Sequence, residues 1–92
     1  MSKYETIMVY SLKKGEEAAK ELMEKFKALM ESNGTLESVD EWGKRRLAYL
    51  IDDEAEGYYV LFNYEADANF PAELDRIEKI TDGVLRTLIV KK

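Results

Sequence analysis

The chain has 92 residues, a formal net charge of −5, 46% hydrophobic and 36% charged residues, and neither cysteine nor histidine. Such a length holds one domain, expected to span residues 1–92, and no apolar run approaches the roughly 20 residues that a membrane span needs. Without cysteine or histidine there are no disulfides, no thiolate chemistry, no sulfur-ligated metal and no imidazole base, and the acidic balance argues against binding nucleic acid by bulk charge, so any such contact must come from local patches.

The N-terminus, MSKYETIMVYSL, carries one lysine and no small-residue cleavage pattern, so no secretory signal is expected and the chain is placed in the cytoplasm. Residues 3–12 are rich in β-branched and aromatic types. Their alternation puts Tyr4, Thr6, Met8 and Tyr10 on one face and Glu5, Ile7 and Val9 on the other, which predicts a strand that is apolar on both sides. Lys13, Lys14 and Gly15 form a turn, and Glu16 and Glu17 then sit where a helix N-terminus favours negative charge. Ala19, Leu22, Met23, Phe26, Leu29 and Met30, spaced by three and four, make the apolar stripe of that helix, which Asn33 and Gly34 terminate.

From Leu36 to Ile51 the composition predicts a strand again, interrupted at Gly43 by a bulge or a close backbone approach. The acidic segment DDEAEG, residues 52–57, reads as a hairpin tip leading into GYYVLFNYEA, a third strand with Tyr58, Val60, Phe62 and Tyr64 on one face and Tyr59, Leu61 and Asn63 on the other. Asp67 or Asn69 is positioned to cap a second helix, with Pro71 in its first turn and Phe70, Leu74, Ile77 and Ile80 on its apolar side. Asp82 and Gly83 turn the chain into a last strand, VLRTLIV, at residues 84–90.

The order β-α-β-β-α-β is the split β-α-β arrangement, so the expected fold is α+β and ferredoxin-like: a four-stranded antiparallel sheet with two helices on one face and right-handed crossovers. If Thr6, Met8, Val60, Phe62, Thr87 and Ile89 point at the helices, then Ile7, Val9, Tyr59, Leu61, Arg86, Leu88 and Val90 point away. A sheet face in contact with water alone normally carries polar residues at those positions. Six apolar side chains there predict an interaction surface for a protein partner.

No catalytic constellation is present, and neither a cofactor nor a small-molecule substrate is expected. Asp52, Asp53, Glu54 and Glu56 lack the ligand spacing of a calcium loop and read as a solvated tip. The five glycines are isolated, so no phosphate-cradling loop is formed. The segment EGYYVLF, residues 56–62, only loosely matches the RNA-binding motif of RRM domains, with Glu56 and Tyr59 at positions where that motif needs a basic and a small residue.

Cations are the remaining signal. Lys44, Arg45 and Arg46 follow Trp42 and Gly43; on an extended backbone Lys44 and Arg46 share one face and Arg45 takes the other, unless Gly43 resets the phase. Simple alternation then puts Arg46 with Ala48 on the open face, and Leu47, Tyr49 and Ile51 toward the core. Arginine suits phosphate because its planar fork donates two parallel hydrogen bonds. Lys3, Arg86, Lys91 and Lys92 belong to the first and last strands, neighbours in this fold, and are expected to form a second basic edge away from the acids. Trp42 either packs on a helix or stacks on a base or sugar.

YETIMV near the start, EWGKRRLAY, GYYVLF and the ending ITDGVLRTLIVKK, in this order and at these separations, resemble the bacterial small-subunit ribosomal protein six family over nearly the whole chain. The resemblance implies a non-enzymatic constituent of the small ribosomal subunit that binds the central domain of its RNA together with ribosomal protein eighteen. It implies further that Lys3, Lys44, Arg45, Arg46, Arg86, Lys91 and Lys92 include the RNA-contacting cations and that Ile7, Val9, Tyr59, Leu61, Leu88 and Val90 form the protein-partner face. Many relatives carry proline where this chain has Leu50, and several continue into a C-terminal tail that is missing here. A self-associating interaction module is the competing expectation, since two open sheets can stack face to face.

Overall fold

The computed structural model describes residues 2–51 and 54–92, the Ala48 side chain excepted, and the expectations for Asp52, Asp53 and Ala48 lie outside the described residues. The elements run β1 (Ser2–Tyr10), α1 (Glu16–Asn33), β2 (Gly34–Ile51), β3 (Glu54–Ala66), α2 (Phe70–Lys79) and β4 (Val84–Lys91). The strands lie in the order β2-β3-β1-β4, and every neighbouring pair is antiparallel. This is the expected ferredoxin-like α+β arrangement, with β1 and β3 in the middle.

One core joins the helices to one face of the sheet. Ala19, Met23, Phe26 and Met30 from α1 and Phe70 and Leu74 from α2 meet Tyr4, Met8, Tyr10, Tyr58, Val60, Phe62 and Tyr64 from the central strands. Tyr10 stacks on Phe26 with ring centroids 6.3 Å apart, and Tyr64 meets Phe70 edge to face at 5.6 Å. Thr6 and Tyr64 share a buried hydroxyl hydrogen bond of 2.8 Å, so two polar groups enter this core without losing a partner. Thr87 and Ile89 lie half-buried at its edge, as their alternation requires.

Local chemistry accounts for the element boundaries. Gly15 adopts φ 91°, a left-handed conformation that glycine enters without steric cost, and α1 begins at the next residue. Gly34 is needed for a different reason. A Cβ built there would sit 1.9 Å from the Glu65 carbonyl oxygen, because the chain leaves the helix directly against the end of β3.

Three features differ from the alternation-based expectation. Ile80 lies past the end of α2 and is exposed rather than packed, since the helix closes where the Ile80 N–H reaches the Ile77 carbonyl. β3 starts three residues before Gly57. At its first residue, Glu54 is only 9% exposed instead of solvated: its carboxylate accepts from the Ser11 hydroxyl at 2.8 and 2.9 Å and from the Leu12 N–H at 3.0 Å, tying the hairpin to the turn after β1.

On α2, burial pushes the Glu78 carboxyl up to about 7; Asp75 adds to the rise, while Thr87 and Lys79 oppose it. A carboxyl raised in the folded state holds its proton there more tightly than in the unfolded chain, so the stability present below the unfolded value is lost as pH rises through the folded one. Urea unfolding should therefore show stability falling between about pH 4.5 and 7, by about 1 kcal/mol once solvent screening is allowed for, and Glu78→Gln should remove that slope. Gly34→Ala meets backbone that cannot yield and should cost about 3 kcal/mol in the same measurement.

Candidate functional site

The strand register lays out the helix-free face row by row. Asp40, Leu61, Ile7 and Leu88 stand side by side across the four strands; Ser38, Asn63, Glu5 and Val90 form the row on one side, and Gly43, Tyr59, Val9 and Arg86 the row on the other. The expected apolar residues therefore do share one face. Leu88 and Val90 are 50% and 44% exposed, and Ile7, Tyr59 and Leu61 are half-buried.

Val9 departs from the expectation: it is on this face but only 3% exposed. Its Cγ1 fills the space above Gly57, where a Cβ would meet it at 2.4 Å, and Leu47 Cδ2 lies 3.6 Å from the same point. Leu47 thus packs on the side opposite the helices, not toward the core. Tyr49 is likewise exposed, and its hydroxyl accepts a 3.2 Å hydrogen bond from Arg86 on β4, at the far edge of the sheet. The end of β2 consequently arches over one end of the open face.

A bulge produces this reversal. Glu41 pairs with Val60, but Gly43, at φ 78°, pairs with Tyr59, leaving Trp42 as the extra residue. Lys44 then falls opposite Tyr58, Arg45 opposite Gly57 and Arg46 opposite Glu56. Because side chains alternate with period two, one inserted residue exchanges faces for the paired residues that follow it, up to the next register shift after Arg46. Arg45, not Arg46, takes the phase of the open face. Trp42 packs on no helix; it is 41% exposed and stacks on Tyr59, with ring centroids 6.4 Å apart and planes 13° from parallel. Trp42, Arg45, Arg46 and Tyr59 line a shallow concavity of about 500 Å³.

The seven cations do not form one edge clear of acids. Lys3 pairs with Glu37 at 3.4 Å, Lys44 with Glu56 at 3.7 Å, and Lys92 with Glu5 at 3.9 Å, the last also donating to the Asn63 side-chain carbonyl. Arg86 is held by Tyr49. Lys91 is opposite Tyr4, on the phase of the helix-covered face. Among the described residues, Arg45 and Arg46 have neither an ion-pair nor a hydrogen-bond partner, and both are exposed. Of the groups missed by simple alternation, the Trp42–Tyr59 stack had a signal, a glycine directly after an aromatic in a strand; burial of Glu54 had none. Among the described residues no set of three or more acidic side chains gathers as a metal site, and no helix is long and apolar enough to cross a membrane.

The chain matches the family model described as ribosomal protein S6 over residues 3–91. It is 54% identical to the small ribosomal subunit protein bS6 of Clostridium perfringens, over all of this chain and 98% of that protein. With the bS6 of Thermoanaerobacter pseudethanolicus the identity is 52%, over 99% of this chain and 97% of the relative. The crystal structure of 30S ribosomal protein S6 from Thermotoga maritima superposes with a TM-score of 0.92 at 25% identity, covering 99% of this chain and 87% of that one.

If the unpartnered arginines serve a binding surface and Glu54 serves the fold, substitution separates them. Arg45→Ala and Arg46→Ala should each leave the unfolding free energy within about 0.5 kcal/mol of the parent, whereas Glu54→Ala, which strands the Ser11 and Leu12 donors, should cost about 2 kcal/mol in denaturant melts.

Proposed function

The chain belongs to the ribosomal protein S6 family, and from that premise we propose that it binds the central domain of small-subunit ribosomal RNA jointly with ribosomal protein eighteen. Its family consists of structural constituents of the small ribosomal subunit and not of enzymes. The ribosome is therefore its place of work, which in bacteria is cytoplasmic.

The observation that carries the proposal is the composition of the open face. A row of Leu61, Ile7 and Leu88 crosses the middle of the sheet, while at the hairpin end the exposed, unpartnered Arg45 takes the phase of this face and, with Arg46, lines the concavity beside Trp42. An uncovered apolar row favours a protein partner, because its burial from water is where the stabilisation lies. Unpaired guanidinium groups favour phosphate, since no intramolecular carboxylate has to be displaced first. The partner face is Ile7, Tyr59, Leu61, Leu88 and Val90; Val9 lies on the same face but is already buried. Arg45 and Arg46 are the principal phosphate-binding groups; Lys3, Lys44, Arg86 and Lys92 contribute only by exchanging an existing partner, and Lys91 contacts RNA from the other side of the sheet.

Reconstitution tests the joint surface. Binding to small-subunit RNA should rise sharply only when ribosomal protein eighteen is added, and equal affinity with and without it overturns the joint site. The double variant Arg45→Ala/Arg46→Ala should weaken the RNA complex and reduce the slope of log affinity against log salt by about 0.7–0.9 for each phosphate no longer neutralised. Leu88→Glu places a charge in the apolar row and should abolish the gain from the partner. A stable dimer in sedimentation, without RNA affinity, would instead favour self-association through the same face.

A further inference from the structure

We propose that the concavity lined by Trp42, Tyr59, Arg45 and Arg46 is a seat for one unpaired RNA nucleotide, whose base continues the Trp42–Tyr59 stack and whose phosphates bind the two arginines. This deepens the RNA-binding reading above and rests on it.

The bulge builds the seat. Gly43 shifts β2 by one residue, which carries Arg45 to the face where Trp42 already lies on Tyr59. One face of the indole is used by Tyr59, and the 41% exposure of Trp42 leaves aromatic surface available. A flat π surface is attractive to any base whose own face is free, and it offers nothing to a base buried in a duplex. Unpaired nucleotides are therefore the RNA feature that fits.

Charge and size agree with that occupant. Arg45 and Arg46 are exposed and carry no partner among the described residues, in contrast to Lys3, Lys44 and Lys92, each of which faces a carboxylate. A volume of about 500 Å³ is enough for a base and its sugar, within the roughly 300–1,000 Å³ of small-ligand sites. The lining holds aromatic and guanidinium groups, which recognise stacking surface and phosphate, so the seat selects for an exposed base and not for its identity.

Trp42 is the chain's only tryptophan, and 5-fluorotryptophan at that position reports on the seat alone. The labelled protein is titrated with small-subunit RNA in the presence of unlabelled ribosomal protein eighteen, with binding followed in parallel by gel shift. Nucleotide stacking predicts an upfield ring-current shift of the fluorine resonance when RNA is added to the two-protein complex. Trp42→Leu should weaken the RNA complex roughly 5- to 100-fold, with Trp42→Phe recovering part of that loss. RNA binding with an unmoved resonance overturns the seat and leaves the RNA-binding reading intact. A resonance that moves with ribosomal protein eighteen and no further with RNA assigns the concavity to the protein partner and likewise overturns the seat. Absence of RNA binding overturns both readings together.

Discussion

Both helices bury their apolar stripes against the same face of the sheet, and the rest of the molecule follows from that one-sided coverage. α1 and α2 converge on Tyr10, Phe62 and Tyr64 in the two central strands. The reverse side of those strands still presents Ile7, Val9, Tyr59 and Leu61. Leaving such groups against water gains none of the free energy that burial brings. The chain covers part of the deficit itself, by folding Leu47 and Tyr49 across the end that holds Val9 and Arg86. What stays uncovered is the rest of that face, where Leu88 and Val90 are the most exposed, and there a protein partner would add most.

The bulge at Trp42 and Gly43 decides the character of that surface. Without the additional residue, Trp42 would pair with Tyr59, Lys44 would fall opposite Gly57, and Arg45 would pass to the helix side. With it, an arginine joins the tryptophan, and lysine moves to pair with Glu56. A positive φ at Gly43 makes the inserted residue tolerable, because a Cβ there would strain the backbone even though open space surrounds it. A backbone device of one residue therefore exchanges the kind of cation displayed, and arginine is the kind whose planar fork suits phosphate.

Much of this could be read from residue order. The helix stripes at Ala19 to Met30 and Phe70 to Leu74, and the alternation in β1, β3 and β4, are local periodicities that tertiary packing had only to confirm. Phase after Gly43 was not legible, because a glycine in a strand announces that a bulge is possible without saying whether a residue is inserted. Burial of Val9 was hidden for the same reason: it depends on Leu47, which lies beyond the phase reset. Glu54 was hidden more deeply. Its position in an acidic run suggests solvent, and only the meeting of the hairpin with Ser11 and Leu12, more than 40 positions away in sequence, turns it into a structural acceptor.

Charge on the open face is mixed, and this bears on the proposed contact of an acidic chain with RNA. Glu5 and Asp40 stand in the same rows as Val90 and Leu61, and they would repel phosphate unless something intervenes. Glu5 is met by Lys92, and Lys3 and Lys44 are similarly held. Exposed pairs of this kind are worth about 0–1 kcal/mol, so a phosphate can replace the carboxylate at little cost, but each exchange also frees a negative group beside the RNA. Cations bound in this way therefore supply less net attraction than their number suggests. Arg45 and Arg46 escape that penalty, yet two arginines fall short of what a net charge of −5 has to overcome. On the proposed reading, a partner covering the acidic rows would remove the repulsion and the bare apolar surface in one step, so that protein binding and RNA binding would reinforce each other by linkage.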